Sequence, residues 1–80
     1  MSEAIHLDLT GLKCPLPVLR TRKALRGLAP GARLVVVCTD PLAAIDIPNL
    51  VREEGGRIEA RTREGALLRF VIRGATAIAA

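Results

Sequence analysis

Near the middle of the chain is the run Arg33-Leu34-Val35-Val36-Val37-Cys38-Thr39. Its β-branched valines favour a β-strand, and apolar and polar side chains do not alternate within it. A strand that is at least partly buried on both faces carries apolar side chains on both, so alternation is lost. We therefore interpret this run as the central strand of a sheet. The segments on either side of it then have to supply its neighbours and its cover.

The segment before this run predicts a strand followed by a helix. Residues 5–9 alternate between apolar and polar side chains, as a half-buried strand does. Residues 17–28 carry an apolar face at helical spacing. The members of that face are Val18, Thr21, Leu25 and Leu28. Strand, helix and strand in this order form a βαβ unit, with parallel strands if both lie in one sheet and a right-handed crossover.

The segment after the run predicts a second helix and a hairpin. Asp40-Pro41 is a helix-start pattern, and Asp46-Ile47-Pro48 repeats it, so we expect a short turn and then a restarted helix that ends at Gly55-Gly56. Residues 57–63 alternate, and a turn at residues 64–66 connects them to a last strand. The alternation predicts two sets of side chains, with Ile58, Ala60 and Thr62 facing inward and Arg57, Glu59, Arg61 and Arg63 facing outward.

These elements predict one α/β domain over residues 1–80, a two-layer α/β sandwich of order βαβαββ. Its sheet is mixed and four-stranded, with both helices on one face. Hydrophobic residues make up 50% of the chain, yet it contains one Phe and no Trp or Tyr, so the core has to be aliphatic. We therefore expect no bound cofactor, because such sites are usually lined by aromatic side chains. Whether residues 74–80 are frayed or extend a strand is left open.

The chain carries a net charge of +4, from 12 basic and 8 acidic residues. A basic surface attracts a negatively charged partner, whether protein or nucleic acid. Without Trp or Tyr, stacking on bases is not available, so we expect no direct nucleic-acid binding. The first residues lack a basic segment followed by an apolar one, and no apolar run is long enough to cross a bilayer. We therefore expect a cytoplasmic protein without a membrane segment.

Cys14 lies between the first predicted strand and the first predicted helix. At the amino end of a helix, unpaired N–H groups and the macrodipole favour the thiolate, and Lys13 adds a positive charge. Pro15 and Pro17 carry no N–H and stiffen the chain, and the helix can begin at either of them. A reactive thiol is one interpretation. The other is a small apolar side chain at an ordinary proline-containing helix start.

The remaining ligand-type residues predict no metal site. Cys38 is expected to be a buried, inert thiol within the central strand. A parallel βαβ unit would nevertheless bring it to the same sheet edge as Cys14, where a disulfide needs Cα atoms within about 7 Å. His6 is the only histidine and is interpreted as a surface residue. His6 and the two cysteines do not have the spacing of a metal site.

One stripe of the first helix carries a distinctive set of side chains. They are Pro15, Leu19, Arg22 and Arg26. A charged helix face is commonly no more than solvated. An exposed leucine between a thiol and two arginines also fits a docking surface for an acidic protein partner, and both interpretations stay open.

Over residues 7–73 the chain resembles the TusA-like, or SirA-like, sulfur carrier proteins. The elements that carry the resemblance are Leu7-Asp8-x-x-Gly11-Leu12-x-Cys14-Pro15-x-Pro17, Lys23, Thr39-Asp40-Pro41, Asp46-Ile47-Pro48 and Phe70-x-Ile72-Arg73. The resemblance implies the same βαβαββ fold and a persulfide carried on Cys14. It also implies a surface with Arg22, Arg26 and Asp40 that binds a cysteine desulfurase or a rhodanese-like donor.

Three features depart from the family pattern. Leu16 occupies a position where many members carry an acidic residue, Gly56 occupies one where histidine is common, and the chain has no terminal lysine. A carboxylate beside the thiol would change the local charge. The first departure therefore bears on which partners bind.

The sequence thus predicts a sulfur carrier with sulfurtransferase activity, acting as an enzyme or as a stoichiometric carrier. It would take sulfur onto Cys14 and pass it to an acceptor protein in tRNA thiolation, cofactor assembly or sulfur oxidation. One alternative is a non-catalytic regulatory module whose basic face binds protein or RNA. Another is a dithiol redox switch that uses Cys14 and Cys38.

Overall fold

A computed structural model describes residues 4–74 of the chain. In order, the elements are β1 (Ala4–Leu9), α1 (Leu16–Arg26), β2 (Arg33–Cys38), α2 (Ala43–Glu53), β3 (Arg57–Glu64) and β4 (Leu67–Arg73). The predicted βαβαββ order is confirmed. The question about the tail concerns residues 75–80, which lie outside the described residues. No helix of the described part is long and apolar enough to cross a membrane.

The four strands form one mixed sheet in the order β1-β2-β4-β3. β1 and β2 are parallel, and β4 runs antiparallel to both β2 and β3. β2 therefore lies between two neighbours, as its β-branched run predicts. In register, Cys38 at the end of β2 pairs with Leu9 on one side and with Leu68 on the other.

The core lies between the sheet and the two helices, which pack on the same face. β2 contributes Leu34, Val36 and Cys38, all fully buried, and Phe70 is the aromatic member of the cluster. The helices contribute Pro17, Thr21 and Leu25 from α1 and Ala43, Ile47, Leu50 and Val51 from α2. The aliphatic core expected from the composition is thus observed.

The two helices begin differently from the sequence-based prediction. α1 begins at Leu16, between the two prolines that the sequence offered as starts. The predicted restart of the second helix is wrong, because α2 is continuous and contains Pro48. Pro48 lies in the second turn and removes one donor from the helix ladder, a loss that the remaining turns of α2 tolerate.

The predicted alternation of β3 is also wrong beyond Ile58. Ile58 pairs with Ile72 but Ala60 pairs with Val71, so the strand contains a β-bulge at Glu59. One extra residue reverses the facing of every later side chain. Ala60 and Thr62 are accordingly exposed rather than inward-facing.

The arginines of β3 exchange faces with these residues. Arg61 pairs with Phe70 and Arg63 with Leu68, and both partners are buried against the helices. The two arginines therefore lie on the helix side of the sheet. The Glu59 carboxylate at the bulge binds Arg33 at 2.8 Å and Arg73 at 2.6 Å. These bonds hold the extra residue on the sheet face that the helices do not cover.

Gly56 joins the end of α2 to β3 at a point with no space for a side chain. A Cβ there would lie 2.7 Å from the carbonyl oxygen of Arg73. This chain therefore requires glycine at the position where the family pattern commonly has histidine.

Candidate functional site

Cys14 lies in the loop that connects β1 to α1, at the carboxyl ends of β1 and β2. Two hydrogen bonds attach this loop to the loop after β2. The Gly11 N–H donates to Thr39 Oγ1 at 2.9 Å, and the Cys14 N–H donates to Asp40 Oδ2 at 2.6 Å. Gly11 has a φ of 82°, a conformation that glycine adopts without strain. The backbone that carries the thiol is thus attached at two points.

Asp8 and Thr10 close the first part of the same loop. Asp8 Oδ1 accepts from the Thr10 N–H at 3.0 Å and from its hydroxyl at 2.7 Å. These bonds to the charged carboxylate lower the pKa of Asp8. The chain therefore leaves β1 through a side-chain-stabilised turn before it reaches Cys14.

Asp40 uses both carboxylate oxygens within the chain. Oδ2 accepts from the Cys14 N–H, and Oδ1 accepts from the Leu42 N–H at 3.1 Å. One side chain thus connects the thiol loop to the start of α2. The resemblance implies a partner-binding role for Asp40, which stays a prediction, and the structure adds a positioning role at Cys14.

The Cys14 side chain is exposed, and its thiol faces a second carboxylate. Sγ lies 4.0 Å from Oδ2 of Asp46, in the first turn of α2. The sequence analysis interpreted Asp46 only as part of a helix-start pattern. The approach of the two side chains depends on the path of the loop before Cys14, so no local sequence signal could have revealed it.

The amino end of α1 offers few donors to the thiol. Pro15 and Pro17 have no N–H, and the Leu16 N–H donates to the Lys13 carbonyl at 2.9 Å. The Cys14–Pro15 peptide bond is cis. Because the two prolines lack an N–H and that of Leu16 is already bonded, the stabilisation expected from free N–H groups is reduced. Lys13 is exposed close to the thiol in sequence.

Large apolar side chains are exposed on the two elements next to Cys14. On α1 these are Leu16 and Leu19, which are 40% and 47% exposed. At the start of α2 they are Leu42 and Ile45, which are 53% and 64% exposed. We call these four leucine and isoleucine residues the apolar rim. Leu19 could be identified from the sequence, but Leu42 and Ile45 were missed, because they fall in the turn predicted before the second helix.

The two predicted arginines of α1 form ion pairs within the chain. Arg26 binds Glu54 through two hydrogen bonds of 2.9 and 3.0 Å, and Arg22 lies 3.9 Å from the same carboxylate. The hydrogen bonds from Arg26 lower the pKa of Glu54, and in return raise the pKa of Arg26. These arginines join α1 to the end of α2. Their predicted part in partner binding stays a prediction.

Cys38 differs from Cys14 in its access to solvent. Its side chain is fully buried in the core, and both cysteines are free thiols. Burial raises the pKa of the Cys38 thiol, and the charge of Asp40 raises it further. Cys38 is therefore a protonated core residue, whereas Cys14 is accessible.

The other ligand-type side chains are dispersed. Among residues 4–74, no three histidine, cysteine, aspartate or glutamate side chains form a group that could hold a metal ion. His6 pairs in register with Val35 and points to the sheet face that the helices do not cover. The site is thus built from one exposed thiol, two carboxylates, one lysine and the apolar rim.

Comparison with known proteins identifies a family and a fold. The family described as Sulfurtransferase TusA matches residues 5–74. The chain is 36% identical over 68 residues to the sulfur carrier protein TusA of Allochromatium vinosum, covering 85% of this chain and 90% of that protein. The crystal structure of a SirA-like protein from Desulfitobacterium hafniense has the same fold, with a TM-score of 0.77. It is 23% identical and covers 89% of this chain and 97% of that one. The chain therefore belongs to the TusA family of sulfur carrier proteins.

Proposed function

We propose that this chain accepts sulfur as a persulfide on Cys14 and passes it to an acceptor thiol. The observation that carries the proposal is the state of the two cysteines, one exposed on an anchored loop and the other buried in the core. Sulfur transfer between thiols needs one accessible thiolate and no metal or cofactor.

The reaction consists of two thiol exchanges with one additional sulfur atom. The Cys14 thiolate attacks the terminal sulfur of a donor persulfide, so that a bond from Sγ to that sulfur forms and the donor's S–S bond breaks. The donor leaves as a thiolate and takes up the proton released from Cys14. An acceptor thiolate then attacks the terminal sulfur of the Cys14 persulfide, and Cys14 Sγ leaves as a thiolate. Neither step has a net change of oxidation state.

The loop anchors set the direction of Cys14 during both steps. Asp40 holds the backbone N–H of Cys14, and the adjoining prolines restrict the dihedral angles on the other side. Asp46 accepts the hydrogen of the resting thiol at 4.0 Å. Once a persulfide anion is bound, the Asp46 charge repels it and favours its transfer to the next thiol.

Partners dock through the apolar rim and the helix start around Cys14. Exposed Leu19 and Ile45 supply apolar area on both sides of the thiol, and Lys13 adds a charge. The donor is a cysteine desulfurase or a rhodanese-like protein, and the acceptor is a downstream sulfur-acceptor protein. Leu16 makes this surface more apolar than that of family members with an acidic residue there.

The protein acts as a carrier whose single thiol is loaded and emptied once per cycle. With both a donor and an acceptor present, it behaves as a sulfurtransferase. The reaction takes place in the cytoplasm, where reducing conditions keep both cysteines as free thiols.

Mass spectrometry after incubation with a cysteine desulfurase and cysteine tests this proposal. We expect a reducible gain of one sulfur atom on the peptide that contains Cys14. Cys38→Ser is the matched control and should still be loaded, whereas Cys14→Ser should remain folded and gain nothing. Loading of Cys14→Ser, or transfer that requires Cys38, would contradict the assignment. The second result would favour the dithiol switch.

A further inference from the structure

A groove runs between α2 and β3, away from Cys14. It has a volume of about 560 Å³. Besides Gly56, Glu59 and Ala60, it is lined by three apolar residues, which we call its floor, and by three arginines, which we call its rim: Pro48, Val51 and Ile58, and Arg52, Arg57 and Arg61. We call these six residues the arginine groove. A smaller hollow of about 250 Å³ shares Arg61 and continues the groove along the helix side of β3 as far as Arg63.

The groove exists because of the bulge in β3. If the same residues paired without the bulge at Glu59, Arg61 would point to the uncovered face of the sheet, as strict alternation predicts. The bulge places Arg61 and Ile58 on the same side, facing α2. The result is a lining that combines aliphatic residues with arginines along β3, an edge strand of the sheet.

The positive charge of the three arginines of the groove is not compensated by ion pairs within residues 4–74. The ion pairs of the described part involve Arg22 and Arg26 with Glu54, and Arg33 and Arg73 with Glu59. Arg52, Arg57 and Arg61 are exposed and form no such pair there. Glu59 is also a lining residue, but Arg33 and Arg73 each bind one of its carboxylate oxygens.

The groove and the thiol lie at opposite corners of the sheet. Cys14 follows β1, whose last residue Leu9 pairs with the end of β2. The groove lies along β3, at the other edge, and begins where Arg57 pairs with Arg73 at the far end of β4. A molecule bound in the groove would therefore leave the apolar rim accessible.

We propose that the arginine groove binds an extended, acidic segment of a partner protein. Apolar side chains of the segment lie on the floor, and its carboxylates pair with the rim arginines. An extended segment presents side chains to alternate sides, so it can make both contacts while it lies beside the edge strand β3. This interaction is separate from the persulfide chemistry and supplies a second point of attachment.

Two other occupants fit the groove less well. A second copy of this chain would bring like charges together along β3, which opposes pairing of identical edge strands. A nucleic acid would find phosphate-binding arginines but an aliphatic floor, with no aromatic ring on which its bases could stack.

Fluorescence anisotropy with a labelled peptide tests the proposal on the full chain. The probe is an extended peptide of about ten residues in which glutamate and valine alternate, and a lysine–valine peptide is the charge control. We expect saturable binding of the acidic peptide, weakened as the salt concentration rises from about 0.05 M to about 0.5 M. The lysine–valine peptide should not bind.

Arginine variants locate the binding site. Arg61→Gln should weaken peptide binding about threefold, and Arg52→Gln combined with Arg61→Gln about tenfold. Arg61→Lys should keep most of the affinity. Arg69→Gln is the matched control, because Arg69 is exposed on the opposite face of the same sheet and the change removes the same charge. Circular dichroism confirms that each variant is folded.

Several outcomes would overturn the proposal. These are unchanged affinity in the double variant, an equal loss in Arg69→Gln, and tighter binding of a single-stranded oligouridine that depends on Arg61. Self-association that disappears in Arg61→Gln would assign the groove to a second copy instead. Cys14→Ser should bind the peptide normally, and the double variant should still load sulfur on Cys14, so this proposal and the proposed function fail independently.

Discussion

Cys14 is bordered by carboxylates, although its position at a helix start suggested a positively charged setting. Asp40 holds its N–H at 2.6 Å, and Asp46 lies 4.0 Å from its sulfur. A carrier has to release its sulfur as readily as it takes it up. In the proposed persulfide cycle, negative charge near Cys14 serves release, and the exposed Lys13 partly offsets that charge during loading.

Neutralising Asp46 is expected to make the thiol react faster. A unit charge at about 4 Å is worth about 1 kcal/mol in water, so Asp46→Asn should raise the rate of alkylation by iodoacetamide at pH 7 about fivefold. Glu53→Gln is the control, because it removes the same charge from the same helix at an exposed position. An unchanged rate, or an equal rise in the control, would show that Asp46 has no influence on the sulfur.

The approach of Asp46 to Cys14 illustrates which part of the site was beyond sequence analysis. Cys14 itself could be identified, because its position between a strand and a proline-containing helix start is a local property. The contact with Asp46 joins the loop before α1 to the first turn of α2, and its distance depends on the loop anchors at Gly11 and Thr39. Tertiary contacts of this kind have no periodic signature in the sequence.

Among the elements, α1 has a buried hydroxyl group that lowers the stability of the fold. Thr21 is fully buried, and its Oγ1 has no hydrogen-bond partner among residues 4–74. A buried hydroxyl without a partner costs free energy, because it has lost its hydrogen bonds to water. α1 therefore packs against the core less favourably than its shape would allow.

Replacing this hydroxyl by a methyl group is expected to stabilise the protein. Thr21→Val keeps the shape and has a similar helix propensity, so the free energy of unfolding should rise by about 1 kcal/mol. Urea denaturation measures this as a higher midpoint with an unchanged slope. Thr62→Val on exposed β3 should change the free energy by less than about 0.5 kcal/mol. A loss of stability in Thr21→Val would mean that the hydroxyl is satisfied after all.

The order of the elements could be predicted because each depends on a local pattern. The valine run identified β2, and helical spacing identified α1 and the buried stripe of α2. The bulge of β3 could not be predicted, since one additional residue at Glu59 leaves the alternating pattern of residues 57–63 intact as a sequence. At the bulge Glu59 pairs with arginines of β2 and β4, and such tertiary contacts leave no mark on the local pattern.

Across the whole molecule, two carboxylates connect separate elements. Glu54 joins α2 to α1 through Arg26, and Glu59 joins β3 to β2 and β4 through Arg33 and Arg73. Hydrogen bonds from these arginines lower the pKa of both glutamates below the ordinary value of 4.5. The folded chain therefore binds fewer protons than the unfolded chain as the pH decreases through this range.

Acid is expected to destabilise the fold through these two groups. A lowered folded-state pKa gives a stabilisation that is present above about pH 4.5 and is lost as the pH falls through the folded-state value. Glu54→Gln combined with Glu59→Gln should therefore lower stability at pH 7 and flatten its decline below pH 4.5. Thermal melts across this pH range measure both effects.

A control pair separates these ion pairs from general charge effects. Glu53→Gln combined with Glu64→Gln removes the same charge from two exposed positions without ion pairs among the described residues. It should leave the acid decline unchanged. If both double variants declined alike, the loss of stability would have to come from net charge and not from these contacts.

The bulge at Glu59 has a further consequence for changes in chain length. Deleting this one residue would remove the bulge but keep the present pairing, so Ala60 would still lie opposite Val71 and Arg61 opposite Phe70, and no later side chain would change face. The loss would be confined to the Glu59 carboxylate that binds Arg33 and Arg73. A one-residue deletion at the bulge is thus expected to spare the arginine-bearing face of β3, whereas the same deletion within a regularly alternating strand would turn over every side chain beyond it.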